Sequence, residues 1–283
     1  MLRPLLPSFL SVVALTPVIV QPTDVLTATV TPLAPRQGET LQVSIQSSAE
    51  TPPQVRFGPR TIPVFGIGAG QYRALIPTTP VLKTGGYLLT VQGATQARRI
   101  PIEVARRSFP VQRIWLPPGK SDLGTDFEFD RVDAFKALIT PELFWTGPLR
   151  RPAPGRISTG YGVRRYYNGV FAEDYFHRGL DYADATGTPV RAPAAGRIAL
   201  VGYEQQGFEV HGNTIGIDHG QGIASILIHL NRINVREGQF VQAGDVIGTV
   251  GNTGAFTGPH LHWGFYVLGE SVDPTPWLQR GLN

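Results

Sequence analysis

The chain has 283 residues, 42% of them hydrophobic, with 33 glycines, 25 prolines and no cysteine. That length has room for two domains, and the glycine and proline content favours short strands and turns over long helices. Lack of cysteine excludes disulfides, thiolate metal sites and a lipidated N-terminal cysteine. The formal charge of +4 is unevenly placed: residues 1–150 hold 15 Lys/Arg against 10 Asp/Glu, and residues 151–283 hold 10 against 11. The basic first half suits an anionic polymer, but no dense basic run or aromatic-basic motif argues for nucleic acid.

Residues 1–26 open with Arg3 and a largely apolar stretch from Phe9 to Val20, interrupted by Pro17. This fits a secretory signal, or an uncleaved anchor that would be the chain's only membrane attachment. The small-x-small cleavage rule is poorly met, and Leu26–Ala28 comes nearest. Residues 27–105 alternate apolar and polar positions between turn signals, in LQVSIQS, QVRFG, QYRALIP, YLLTVQG and RIPIEVA. These are expected strands of an Ig-like β-sandwich. The block has no histidine and few carboxylates, so its expected role is binding, spacing or blocking access.

Residues 106–150 read as a linker with one short helix that packs on the domain after it. In FEFDRVDAFKALITPELFW, Phe129, Val132, Phe135 and Leu138 recur at three-residue steps. From residue 151 to 283 short strands return, and the fold class expected for the whole chain is all-β. GTPVRAPAAGRIALVG and GQFVQAGDVIGTVG rhyme: each runs Gly-x-x-Val-x-Ala, a turn, then a strand ending in glycine. Such hairpins suit a compact, barrel-like β-sandwich.

All six histidines lie in this second half: His177, His211, His219, His229, His260 and His262. Asp181 sits among the apolar residues of Leu180-Asp181-Tyr182, where a carboxylate is costly unless paired or bound to a cation. His229 lies in the buried-looking SILIHL. His260 and His262 are two apart behind a Thr-Gly-Pro turn, so a strand puts them on one face. Two imidazoles and a carboxylate make the ligand set of a catalytic zinc site whose fourth position is left to water. Separately satisfied core polar groups would explain each residue equally well. HExxH and HxxEH are both absent, which excludes the helix-borne zinc-protease design.

HRGLDYA, SILIHL and TGPHLHWG, in this order and within their glycine framework, resemble the signature stretches of the lysostaphin-like (LytM-domain) zinc endopeptidases. The resemblance covers roughly residues 155–278. It implies a β-rich LytM-type catalytic domain, an exported enzyme of the periplasm, envelope or extracellular space, and peptidoglycan as substrate and partner. It further implies one zinc per chain held by His177, Asp181 and His262, with His229 and His260 as unligated catalytic histidines. Many members carry a tyrosine two residues before the histidine matching His229. Leu227 stands there, which leaves Tyr166, Tyr167 and Tyr175 as candidates to hold an oxyanion. Arg164 and Arg165 are read as surface charge, His211 and His219 as structural, and Trp263 as core. The alternative is a non-hydrolytic LytM-fold protein that binds cell wall or activates an amidase; a third possibility is an enzyme blocked by its own first domain.

Overall fold

A computed structural model describes residues 24–115, 124–255 and 258–281. The expected signal or anchor lies, up to residue 23, outside the described residues. Eight strands come first: β1 (Leu26–Thr31), β2 (Thr40–Ser47), β3 (Gln54–Phe57), β4 (Arg60–Ile62), β5 (Phe65–Gly68), β6 (Gln71–Pro77), β7 (Gly85–Gln92) and β8 (Ala97–Val104). They form two four-stranded sheets, ordered β1-β2-β6-β5 and β4-β3-β7-β8. Period-two alternation drives both: β2 buries Leu41, Val43 and Ile45, and β3 buries Val55 and Phe57 between exposed Gln54 and Arg56. The inward residues of the two sheets share one core, as a sandwich requires. β1 takes in Leu26, which is fully buried and whose carbonyl accepts a hydrogen bond from Arg98 Nε at 2.9 Å. The Leu26-x-Ala28-x-Val30 alternation belongs to this strand.

The connecting residues hold β9 (Val111–Ile114) and α1 (Asp126–Lys136). α1 begins at Thr125, whose hydroxyl caps Glu128 N at 3.1 Å. The three-residue stripe is only half right. Val132 and Phe135 are buried, but Phe129 and Leu138 stay 43% and 39% exposed. Each three-residue step rotates about 60° off the face of a 3.6-residue helix, which turns Phe129 outward, and Leu138 lies beyond the end of α1. The buried face instead runs Glu128, Val132 and Phe135. Val132 and Phe135 complete a core with Leu200, Phe208, Ile226, Ile228 and Tyr266. The linker helix is therefore packed into the second half.

That half contains β10 (Arg156–Thr159), β11 (Arg164–Tyr167), β12 (Val170–Phe171), β13 (Gly179–Ala183), β14 (Pro189–Arg191) and β15 (Gly196–Gly202). β16 (Asn213–Gly220), β17 (Ile223–Ile233), β18 (Phe240–Val241), β19 (Val246–Val250), β20 (Leu261–Val267) and β21 (Glu270–Ser271) follow. The main sheet is ordered β10-β13-β20-β17-β16-β15-β18, with β14-β19 joined to it through β17. The two rhyming segments are not hairpins, since β14 does not pair with β15 nor β18 with β19; they pair with each other instead, β14 against β19 and β15 against β18. β9 adds to β11 in parallel, so the linker supplies a strand to the small β12-β11-β9 sheet.

The sandwich is seated on the β21 side. Arg107 pairs with Asp273 at 2.8 Å and Arg60 with Glu270 at 2.6 Å, while Asp273 N donates to the Gly38 carbonyl. Leu268 packs against both main cores. Among the described residues no helix is long and apolar enough to cross a membrane.

Candidate active site and metal centre

β13, β20 and β17 are adjacent, and their registers set the site. Asp181 faces His262 across the β13-β20 pair, and His262 faces Ile228 across β20-β17. His177 lies two residues before β13; its amide donates to Val163 O at 2.9 Å and its carbonyl accepts from Gly162 N at 2.8 Å. Gly179 lets β13 and β20 approach. A Cβ there would lie 2.2 Å from the Trp263 carbonyl oxygen and 2.9 Å from His262 Nε2.

Three donor atoms converge. Asp181 Oδ1 is 3.0 Å from His177 Nε2 and 2.8 Å from His262 Nδ1, and the two nitrogens are 3.0 Å apart. Two ligands each about 2.0–2.1 Å from a tetrahedral ion would be roughly 3.3 Å apart, so this triangle fits a metal of zinc's size. The tautomer argues the same way. His177 Nδ1–H donates to the Gly160 carbonyl at 2.8 Å, which turns Nε2 toward the carboxylate as the nitrogen a metal would take. Burial pushes the Asp181 carboxyl up, but hydrogen bonds and charge from His177 and His262 outweigh it and hold the group far below the usual range. Burial also drives His262 down to about 4. An ionised carboxylate beside two imidazole nitrogens is the donor set a metal needs.

His229 and His260 stand next to this triangle. Their ring centroids are 4.8 Å apart, and His260 Nε2 is 3.9 Å from Asp181 Oδ1. His260 Nδ1–H donates to Gly258 O at 2.7 Å, and His229 Nδ1–H to Thr253 O at 2.8 Å. Each ring thus keeps Nε2 for other partners. His229 is left-handed, at φ 64°, where β17 turns from its pairing with β20 to its pairing with β19. The register with β16 slips there too, since Ile215 faces Leu227 while Asn213 faces Leu230. Such a bulge re-aims a side chain, and a strained non-glycine residue of this kind is often tied to function. Burial first, then repulsion from His260 and His262, lowers His229 to about 3, so it is neutral at ordinary pH.

The remaining candidates separate clearly. His219 is fully buried and satisfied by Ala195 O and Ser225 Oγ at 2.9 Å each; Ser225 also accepts from Trp263 Nε1, so both side chains belong to the core. His211 pairs with Glu128 (Nδ1 to Oε2, 3.0 Å). Arg165 is more than surface charge. Its Nη1 donates to the Tyr175 and Tyr167 hydroxyls at 3.0 and 3.2 Å, and its Nε to Gln112 on β9 at 3.1 Å. Tyr166 instead packs on Phe171 and beneath Arg113. Three features escaped sequence reasoning: the Gln112–Arg165 link, the Thr253 acceptor and Glu128. Only Glu128 left a signal, by standing four residues before Val132 on the buried face.

A triangle of metal donors on and just before β13 and on β20, with two further imidazoles beside it, defines a candidate metallohydrolase centre. Residues 175–274 match Peptidase family M23 and form a metallopeptidase domain of that family. The peptidoglycan DD-endopeptidase ShyC of Vibrio cholerae is 37% identical over 119 residues, which is 42% of this chain and 26% of ShyC. Lysostaphin of Staphylococcus simulans is 37% identical over 125 residues, 42% of this chain and 24% of that protein. The chain thus spans about a quarter of the length of these curated relatives. A crystal structure described as a peptidase M23 from Pseudomonas aeruginosa shares the fold over both halves. It covers 86% of this chain and 95% of that one, at 29% identity and a TM-score of 0.65.

Proposed function

We propose that the chain is an exported zinc endopeptidase that hydrolyses peptide cross-links of bacterial peptidoglycan. The observation that carries this reading is the convergence of His177 Nε2, Asp181 Oδ1 and His262 Nδ1 beside two imidazoles whose Nδ1–H groups are already committed to backbone carbonyls. His177, Asp181 and His262 would hold one zinc, and His229 and His260 would be catalytic. The relatives named for peptidoglycan and lysostaphin supply the substrate class. Residues 27–105 would be an accessory unit, 106–150 a linker and 151–283 the catalytic unit.

Bound zinc supplies an acidified water and a Lewis acid for the scissile carbonyl. The chain's own residues do the rest. His229 or His260 accepts the water's proton at Nε2 and returns it to the leaving amine. The imidazolium so formed stands beside the anionic oxygen that develops on the carbonyl and stabilises it. The Thr253 and Gly258 carbonyls keep both rings in the required tautomer.

The test uses the full chain, because α1 covers the Ile226–Ile228 face. Incubated with muropeptides cross-linked through glycyl-glycine or through D-alanyl–diaminopimelate, it should give products whose masses report one hydrolysed peptide bond. Binding to sacculi with every muropeptide left intact would favour the non-hydrolytic alternative. For export, residues 1–30 fused to a reporter active only outside the cytoplasm should give signal, and a silent soluble fusion would count against it.

A further inference from the structure

Glu128 has no exposed surface, yet it comes from the linker helix and lies outside the residues that match the family. Its carboxylate accepts from Val210 N at 3.0 and 3.2 Å, from His211 N at 3.2 Å and from His211 Nδ1–H at 3.0 Å. The Thr125 cap of the same helix donates to Gly207 O, so the first turn of α1 grips the 207–211 loop at both ends. That loop reaches the site through the His211 carbonyl, which accepts the amide of His229 at 3.0 Å, and its Val210 carbonyl accepts Ala255 N at 2.9 Å beside the Thr253 acceptor. His229 is the left-handed residue of the β17 bulge, and among the described residues no other main-chain bond of the loop reaches it. A buried carboxylate is unfavourable unless its acceptors are filled. Here burial raises the Glu128 pKa, but hydrogen bonds from His211 and Val210 outweigh it and leave the group ionised.

We propose that Glu128 is a positioning residue for His229: through the His211 backbone it holds the bulge that aims the His229 ring at the metal centre. This rests on the peptidase reading above. Glu128→Gln keeps the shape of the side chain but turns an amide N–H₂ toward groups that are all donors. The His211 backbone then loosens, while the His177, Asp181 and His262 donors are untouched.

The experiment is a double-mutant cycle in the full chain on a muropeptide that the wild type cleaves. Glu128→Gln should lower kcat by ~10–100-fold, the range for residues that orient a site residue, with KM and zinc content unchanged. In the His229→Ala background the same change should have no further effect on kcat. Equal losses in both backgrounds, loss of zinc, or unchanged kcat would overturn the proposal. A second readout needs no cleavage. The His229 Nδ1–H resonance should be sharp and slowly exchanging in wild type, and broadened in Glu128→Gln; an unaltered resonance counts against the proposal. A wild type that cleaves nothing sinks the peptidase reading, and the resonance still decides the positioning. Should Glu128→Gln not fold, Glu128→Asp keeps the charge but draws the carboxylate back from Val210 N and His211 N, and carries the same test.

Discussion

His262→Ala is expected to reduce muropeptide cleavage to background, and the loss follows from the metal. His262 Nδ1 is 2.8 Å from Asp181 Oδ1 and 3.0 Å from His177 Nε2, so its removal opens one corner of a three-donor triangle. Two donors facing solvent on the opened side hold zinc far more weakly than three. His260→Ala is expected to act differently although it lies only two residues away. His260 Nε2 stands 3.9 Å from the Asp181 oxygen, outside the triangle, so the metal should stay. What is lost is proton transfer or support of the developing anion, typically ~10²–10⁴-fold in rate. His229→Ala should behave like His260→Ala. Initial rates on one cleavable muropeptide check the order: His262→Ala at background, the other two measurable above it.

Gly179→Ala is the second large effect, and it reaches the metal through the backbone. β13 and β20 pair with Gly179 opposite Gly264 and Asp181 opposite His262. An added Cβ would sit 2.2 Å from the Trp263 carbonyl oxygen, which is paired backbone and cannot swing aside. The strands must part, and His262 Nε2 at 2.9 Å from that Cβ is pushed as well. Overpacking of this kind costs about 1–3 kcal/mol in ordinary cores, and here the displacement falls on two of the three proposed ligands. Zinc content and activity should drop together, with a lower Tm. Gly160→Ala is the control, because its Cβ meets nothing within 4 Å and its carbonyl still orients His177. Retention of zinc and rate in Gly179→Ala would mean that the strands tolerate a separation this close packing does not predict.

Local patterns made much of this legible in the sequence. Alternation located five strands of the sandwich, and the i, i+2 spacing put His260 and His262 near the same Asp181 oxygen. The rhyming segments were visible as a repeat, but their pairing with each other and not within themselves was not. What was hidden depends on partners distant in the chain. No periodicity announces that β9 runs parallel to β11, or that Gln112 meets Arg165. A three-residue stripe suggested a helix face centred on Phe129, Val132, Phe135 and Leu138. The true face is offset by one residue at its start, where it carries the carboxylate of Glu128. The left-handed turn at His229 was hidden too, since Ile228-His229-Leu230 reads as uninterrupted strand. Its conformation is imposed by the His211 and Thr253 carbonyls.

The central claim is a three-ligand zinc site with two unligated histidines, and zinc per chain tests it most directly. His260→Ala and His262→Ala, purified side by side in full length and freed of loosely held metal, should differ by about one equivalent on elemental analysis. The prediction is close to one zinc in His260→Ala, as in wild type, and close to none in His262→Ala. The reverse distribution, or a full equivalent in both, would contradict it.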